Sequence, residues 1–420
     1  MKSTATLPSC PRCANRAFEV FAAFLKLGLT SFGGPVAHLG YFRREFVERR
    51  RWLDDETYTD LLALCQFLPG PASSQVGFSI GLMRAGWLGG MAAWCAFTLP
   101  SALMLIAFAA AAAKLSGLLG EGLVHGLKLT AVAIVAQAVW DMGRRLCPDR
   151  RRTAIALGAV MLLSVVQSDY AQLLVIALGA VVGVYACRAS ASPRQGQPSS
   201  SRKVAVPVPH WASIAALAIF CLLLFGIPAA TGLAHAAHLY ALDATLRLFD
   251  AFYRSGALVF GGGHVVLPLL QHQPAITGAV DPSQFLSGYG AAQAVPGPLF
   301  TFAAFLGWVM TAAPYRIFGA ALATAAIFLP GLLLVIAALP HWQSLSTRPS
   351  TAAVFAGINA AVVGLLASAL YSPVWTSAIH TPIDFAIAAI GFFLLVKWKS
   401  PPLAVVAFCA IAGAAQVALG

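Results

Sequence analysis

Residues 65–75 read CQFLPGPASSQ and lie inside an apolar stretch of the chain. Proline removes a backbone donor and clashes with the preceding helical turn, and glycine accepts left-handed backbone, so Pro-Gly-Pro interrupts a helix. The pattern returns at 293–298 as QAVPGP. A hydrophobic chain broken at two matched places implies a repeat, and a use for the breaks.

The 420 residues are 59% hydrophobic and 10% charged, where a soluble domain carries about 25% charge. Apolar runs such as 92–113 and 401–419 are long enough, or nearly so, to cross a hydrocarbon layer of ~30 Å. The expected class is an all-α polytopic membrane protein. A β-barrel would need alternating segments of ~10 residues, which the sequence lacks. The first sixteen residues are polar and carry Lys2, Arg12 and Arg16, so they read as a tail and not as a signal peptide. The net charge of +12 is concentrated in loops between apolar segments. That fits the positive-inside bias, so no nucleic-acid partner is expected. Cys10 and Cys13 form a lone CxxC in the tail, and no metal or cofactor is expected from it. There is no Walker motif to bind ATP.

The chain repeats itself. Phe32-Gly33-Gly34 falls on Phe260-Gly261-Gly262, Gln66-x-x-Pro69-Gly70-Pro71 on Gln293-x-x-Pro296-Gly297-Pro298, Leu99-Pro100 on Leu329-Pro330, and Gly126-x-Lys128 on Gly357-x-Asn359. The expected organisation is a tail (1–16), a first repeat (17–187), a polar linker (188–210), a linking transmembrane helix (211–233) and a second repeat (245–419). Internal repeats with paired Gly/Pro-interrupted segments mark secondary transporters, and the interruptions point to the substrate site.

Charge orients the two copies. The loop RREFVERRRWLDDE (43–56) holds five arginines, and its counterpart QHQPAITGAVDPSQ (271–284) holds no Lys or Arg. RRLCPDRRR (144–152) is basic and SPVWTSAIHT (372–381) is not. The repeats are therefore expected to be inverted. If 17–41, 57–83, 247–270 and 284–311 are re-entrant hairpins, each followed within its repeat by about four spanning helices, the N-terminus and every basic loop fall in the cytoplasm. The exceptions are Lys26, Lys114, Lys128, Arg247, Arg254 and Arg316. Non-helical backbone at membrane depth is tolerated where it lines a cavity or is buried in protein. Simple spans with proline kinks are the alternative.

The candidate site follows from these breaks. Lys26 and Arg254 stand at matched positions, six residues before each Phe-Gly-Gly, and Lys128 is a further intramembrane cation. Such cations are functional by default, or else snorkel to the interface. Helix starts behind a break attract anions through unpaired N–H groups. This brings in Gly33, Gly34, Pro69, Gly70, Pro71, Gly261, Gly262 and Gly297, with Gln66, Ser73, Ser74, Gln75, Gln293 and Thr301 beside them. The hydroxyls either cap the helices or contact an oxyanion. His38 and His264 are packing residues or proton-linked groups. Buried cations with few buried carboxylates suit an anion.

The stretch FLKLGLTSFGGPVAHLGYFRREFVERRRWLDDETYTDLLALCQFLPGPASSQVGFSIG (24–81) resembles the chromate ion transporter family. VFGGGHVVLPLL and FLSGYGAAQAVPGPLFTFAAFLG are similar to the second domain of that family's long form, and the likeness covers nearly the whole chain. It implies a gradient-driven exporter of chromate in a bacterial-type inner membrane, giving chromate resistance, with no enzymatic activity. Membrane lipid and a chromate- or sulfate-like oxyanion are the expected partners, and a homodimer stays open. The family's characteristic stretches fall here on Lys26, Phe32 to Pro35, the arginines of 43–51, Gln66 and Pro69 to Pro71. In the second copy Gly263 replaces Pro35. Uptake of sulfate or a related oxyanion is the first alternative. Membrane-bound chromate reduction is the second, disfavoured by the scattered cysteines and the missing dinucleotide fingerprint.

Overall fold

A computed structural model of the chain describes residues 11–112, 117–166, 171–187, 208–342 and 349–419. Most of the tail (1–16), with Cys10, and nearly all of the polar linker (188–210) lie outside the described residues. Among the described residues every regular element is helical. The first copy holds α1 (Pro11–Thr30), α2 (Gly34–Phe42, continued as a wider turn over Arg43–Arg49), α3 (Asp55–Phe67), α4 (Ala72–Ala112), α5 (Leu118–Leu146), α6 (Arg150–Val165) and α7 (Ala171–Ala186). After α8 (His210–Ala236) come α9 (Tyr240–Ala257), α10 (Val266–Gln271), α11 (Pro274–Thr277), α12 (Pro282–Ala294) and α13 (Phe302–Met310). The chain ends with α14 (Arg316–Ala338), α15 (Pro349–Ala369), α16 (Pro382–Val396) and α17 (Pro402–Leu419). Five of these helices are long and apolar enough to cross a membrane: α4, α5, α8, α14 and α15.

The chain turns back at each break. Phe24 of α1 stacks on Phe46, with ring centroids 4.7 Å apart. Along one continuous helix those rings would be ~33 Å apart at 1.5 Å per residue. In the second copy Ser255 of α9 lies 3.4 Å from the carbonyl of Leu269 in α10. The later pairs behave alike, and Phe285 of α12 meets Phe302 of α13 edge-on at 5.1 Å. Helix α4 reverses once more at Ala85-Gly86, where φ/ψ leave the helical region. There Gly81 and Gly89 touch backbone to backbone, as Gly307 and Gly319 do in the second copy.

Two polar clusters tie the ends of elements together. Glu19, midway along α1, pairs with Arg50 at 3.6 Å and with Arg84 at 3.1 Å. Arg50 also bonds Glu45 at 2.6 Å, and both Arg50 and Arg84 stand over the Trp52 ring. Residues on either side of the first break and beyond the second thus converge at one end. In the other cluster Asp384, 1% exposed, accepts from Gln416 and bonds His125 of α5 at 2.7 Å. Its second oxygen takes the amides of His380 and Thr381. Asp384 lies in the first turn of α16, buried by these four partners.

The two copies interlock. Gly126 of α5 packs against Gly413 of α17, and a Cβ at Gly413 would lie 2.8 Å from the Gly126 Cα. Reciprocally, a Cβ at Gly183 of α7 would lie 2.8 Å from the Gly357 Cα of α15. Each copy's last helix therefore packs on the other copy. Helix α8 lies on α9 and α14, fixed by bonds from Ser213 to the Ala337 carbonyl and from Tyr253 to the Phe220 carbonyl.

Candidate functional site

Four helices that begin in polar loops are capped by side chains. Asp54 accepts from Thr57, Asp149 from Arg152, Asp281 from Ser283 and Thr381 from Asp384. Helices that begin at the breaks are different. Neither Gly33, Gly262 nor Pro298 makes a side-chain cap bond. Their first N–H groups therefore have no side-chain partner, which is the arrangement that attracts an anion.

The breaks meet in pairs, each across the two copies. The Gly297 amide donates to the Ser31 carbonyl at 2.9 Å, and the Gly70 amide donates to the Val259 carbonyl at 2.7 Å. Thus the Pro-Gly-Pro of one copy is bonded to the residue just before the Phe-Gly-Gly of the other. Each junction also includes the proline-bearing turn of a long helix. Gly297 sits against Ser101 and Phe97, just beside Pro100, and Gly70 sits against Gly331, next to Pro330. Both tips need left-handed backbone, with φ of 117° at Gly70 and 102° at Gly297. The Gly-Gly pairs are also left-handed, and the space a Cβ would enter at Gly34 or Gly262 is open.

The residues singled out by sequence fall into distinct places. Gly33, Gly34, Gly261 and Gly262 form the accessible tips, and Gln66 is exposed. Pro69, Gly70 and Pro71 are buried at the second junction. There Gln75, wholly buried, donates to the carbonyls of Pro69 and Gly331 at 2.9 and 3.0 Å. Ser73 and Ser74 are buried in the first turn of α4. Thr301 turns its hydroxyl back to the Pro298 carbonyl at 2.7 Å. His264 bonds the Tyr289 hydroxyl at 3.0 Å. His38, wholly buried, places Nε2 3.2 Å from the Ser31 carbonyl. Gln293, half-buried, stands one turn before the Gly297 tip.

The three cations differ. Lys26 is exposed on α1, and among the described residues no carboxylate lies within 4 Å of it. Arg254 is mostly buried and paired with Asp250 at 2.8 Å. Lys128 is half-buried and faces the charges of Asp281 and Asp384. The breaks come together in pairs, and the three cations stand in three unlike environments. Sequence reading passed over Ser31, Thr98 and Ser101 at the first junction. Leu99-Pro100 was a visible landmark, and its polar neighbours were the available signal.

Comparison with known proteins agrees with this architecture. The family model described as "Chromate transporter" matches the chain twice, over residues 18–184 and 246–414. The chain is similar to a chromate transport protein of Pseudomonas aeruginosa, 28% identical over 393 residues, covering 91% of this chain and 88% of that protein. It is 29% identical to a chromate transport protein of Cupriavidus metallidurans over 403 residues, covering 94% and 91%. A probable chromate transport protein of Synechococcus elongatus is 28% identical, covering 93% of each chain. No solved structure matches. Two matches of one family model, with five helices among the described residues long and apolar enough to cross a membrane, make this multi-pass membrane protein a member of the chromate transporter family, a family of transporters and not of enzymes.

Proposed function

We propose that the protein is a secondary transporter that exports chromate across a bacterial-type inner membrane and thereby confers resistance. The observation that carries the reading is the pairing of uncapped helix starts at the two junctions, where N–H groups stand beside accessible glycine tips. A tetrahedral oxyanion accepts several hydrogen bonds at once, and charge-assisted bonds to backbone N–H groups are the strong kind. Lys26, Arg254 and Lys128 contribute positive potential around the junctions.

On this reading the four broken segments are re-entrant and the two copies are inverted, with the N-terminus cytoplasmic. The joining of Glu19, Arg50 and Arg84 supports it, because simple spans would set Glu19 and Arg50 on opposite sides of the bilayer. The second cluster agrees, since His125, Asp384 and Gln416 all fall on the outer side in this topology. An inside-negative potential favours outward movement of negative charge by ~2.3 kcal/mol per charge per 100 mV. Export of a dianion therefore needs no coupled cation.

The test is transport in proteoliposomes. With an imposed potential, labelled chromate should move toward the positive side and leave as unchanged Cr(VI). Potential-driven movement of sulfate with no movement of chromate would reassign the substrate, and recovery of Cr(III) would replace transport by reduction.

A further inference from the structure

The two junctions share a backbone plan and differ in chemistry. We propose that only one of them holds the anion: the junction of Ser31–Gly34 with Pro296–Pro298 and the Thr98–Ser101 turn. This rests on the oxyanion-transport reading and adds the number of sites and their ligands.

Four positions make the contrast. In repeat register Ser31 corresponds to Val259, His38 to Val266, Thr98 to Phe328 and Ser101 to Gly331. Each of these four polar residues of the first junction is thus apolar, or a bare glycine, in the second. At the first junction Ser31 Oγ, His38 Nδ1 and Thr98 Oγ1 are buried and have no hydrogen-bond partner. Ser31, His38 and Thr98 are 0%, 0% and 4% exposed. A buried polar group without a partner costs about 1–3 kcal/mol, so three in one place call for a ligand. They are joined in space: His38 reaches the Ser31 carbonyl, its ring meets the Phe97 ring edge-on, and Ser101 bonds the Thr98 carbonyl.

The second junction is closed instead. The Gln75 amide fills it by bonding two carbonyls, one from each copy. What it leaves over is an acceptor, Oε1, which repels an anion. Ser74 Oγ, also unpartnered, lies one residue away on the same turn and has no polar group opposite it from the Val259 and Phe328 positions. His264 is already held by Tyr289. The Ser31 and Thr98 hydroxyls donate to the oxyanion. His38 Nε2 faces the Ser31 carbonyl and so carries the ring proton, which fixes the imidazole beside the two hydroxyls.

The test is equilibrium dialysis of the purified full-length protein with radiolabelled chromate, accompanied by melting temperatures. One anion per chain is expected. Ser31→Ala and Thr98→Val should each weaken binding by about tenfold, the loss of one charge-assisted hydrogen bond, with the fold retained. Val266→Ala, at the second junction, should leave affinity unchanged. Two anions per chain, or equal losses from both junctions, would overturn the single site. Wild-type protein that binds neither chromate nor sulfate would remove the transport reading, and this site with it.

Discussion

Gly70 and Val259, far apart in sequence, share a backbone hydrogen bond of 2.7 Å, and Gly297 and Ser31 repeat it at 2.9 Å. Both glycines have positive φ, and a Cβ at Gly70 would lie 2.9 Å from the Gly331 Cα. Left-handed backbone costs an L-residue about 1–2 kcal/mol before any clash is counted. Gly70→Ala and Gly297→Ala should therefore lower the melting temperature and abolish transport. Gly40→Ala, in α2 with open space around it, should be neutral or slightly stabilising. Equal tolerance at all three would discount the junction.

Charge clustering at Glu19 makes a topological prediction. In a chain otherwise free of cysteine, Arg16→Cys and Arg44→Cys should react with a membrane-impermeant maleimide from the same, cytoplasmic side. Gln284→Cys should react only from outside. Opposite labelling of positions 16 and 44 would turn the first broken segment into a simple span.

Lys26 and Arg254 occupy matched sequence positions and should respond differently. Lys26 is exposed and has no carboxylate partner among the described residues, so Lys26→Ala should change stability by no more than about 0.5 kcal/mol. Any loss of export then belongs to the transported anion. Arg254→Ala leaves Asp250 uncompensated and should destabilise by roughly 1–3 kcal/mol, the buried-pair cost reduced for partial exposure. Asp250→Asn combined with Arg254→Gln should recover most of that loss. Recovery of stability without recovery of export would give Arg254 a role in transport.

Asp384 anchors α16 to α5 and α17 through four hydrogen-bonding partners. Asp384→Ala strands those donors and should cost roughly 3 kcal/mol or more, read as thermal stability. Asp384→Asn keeps an acceptor and should cost less. A fully stable Asp384→Ala protein would deny the cluster its anchoring role.

The helical class and the breaks were legible because both are local. Apolar runs and Gly/Pro interruptions act within a few residues of themselves. The match of Gln66-x-x-Pro-Gly-Pro to its second copy even located the tips. What the sequence did not tell was which tip meets which. Gly70 bonds Val259 and not its own copy's Ser31, and that exchange depends on packing across more than a hundred residues. Asp250 was equally hard to place: its i,i+4 spacing to Arg254 allowed a pair, but only burial made that pair matter. Ser31 and Thr98 gave a weak signal. A lone hydroxyl in an apolar helix ordinarily bonds back to its own backbone, as Ser79 and Thr130 do here.

The reciprocal exchange has a consequence for how the molecule is assembled. Each copy lends its Pro-Gly-Pro tip and its last helix to the other, so neither copy encloses its own interior. Cut within the linker, each fragment would expose the carbonyls of Ser31 or Val259 and a glycine groove left by the missing terminal helix. The two copies thus complete one another and form a single folding unit. Separately expressed halves should be degraded alone and should regain activity only when co-produced.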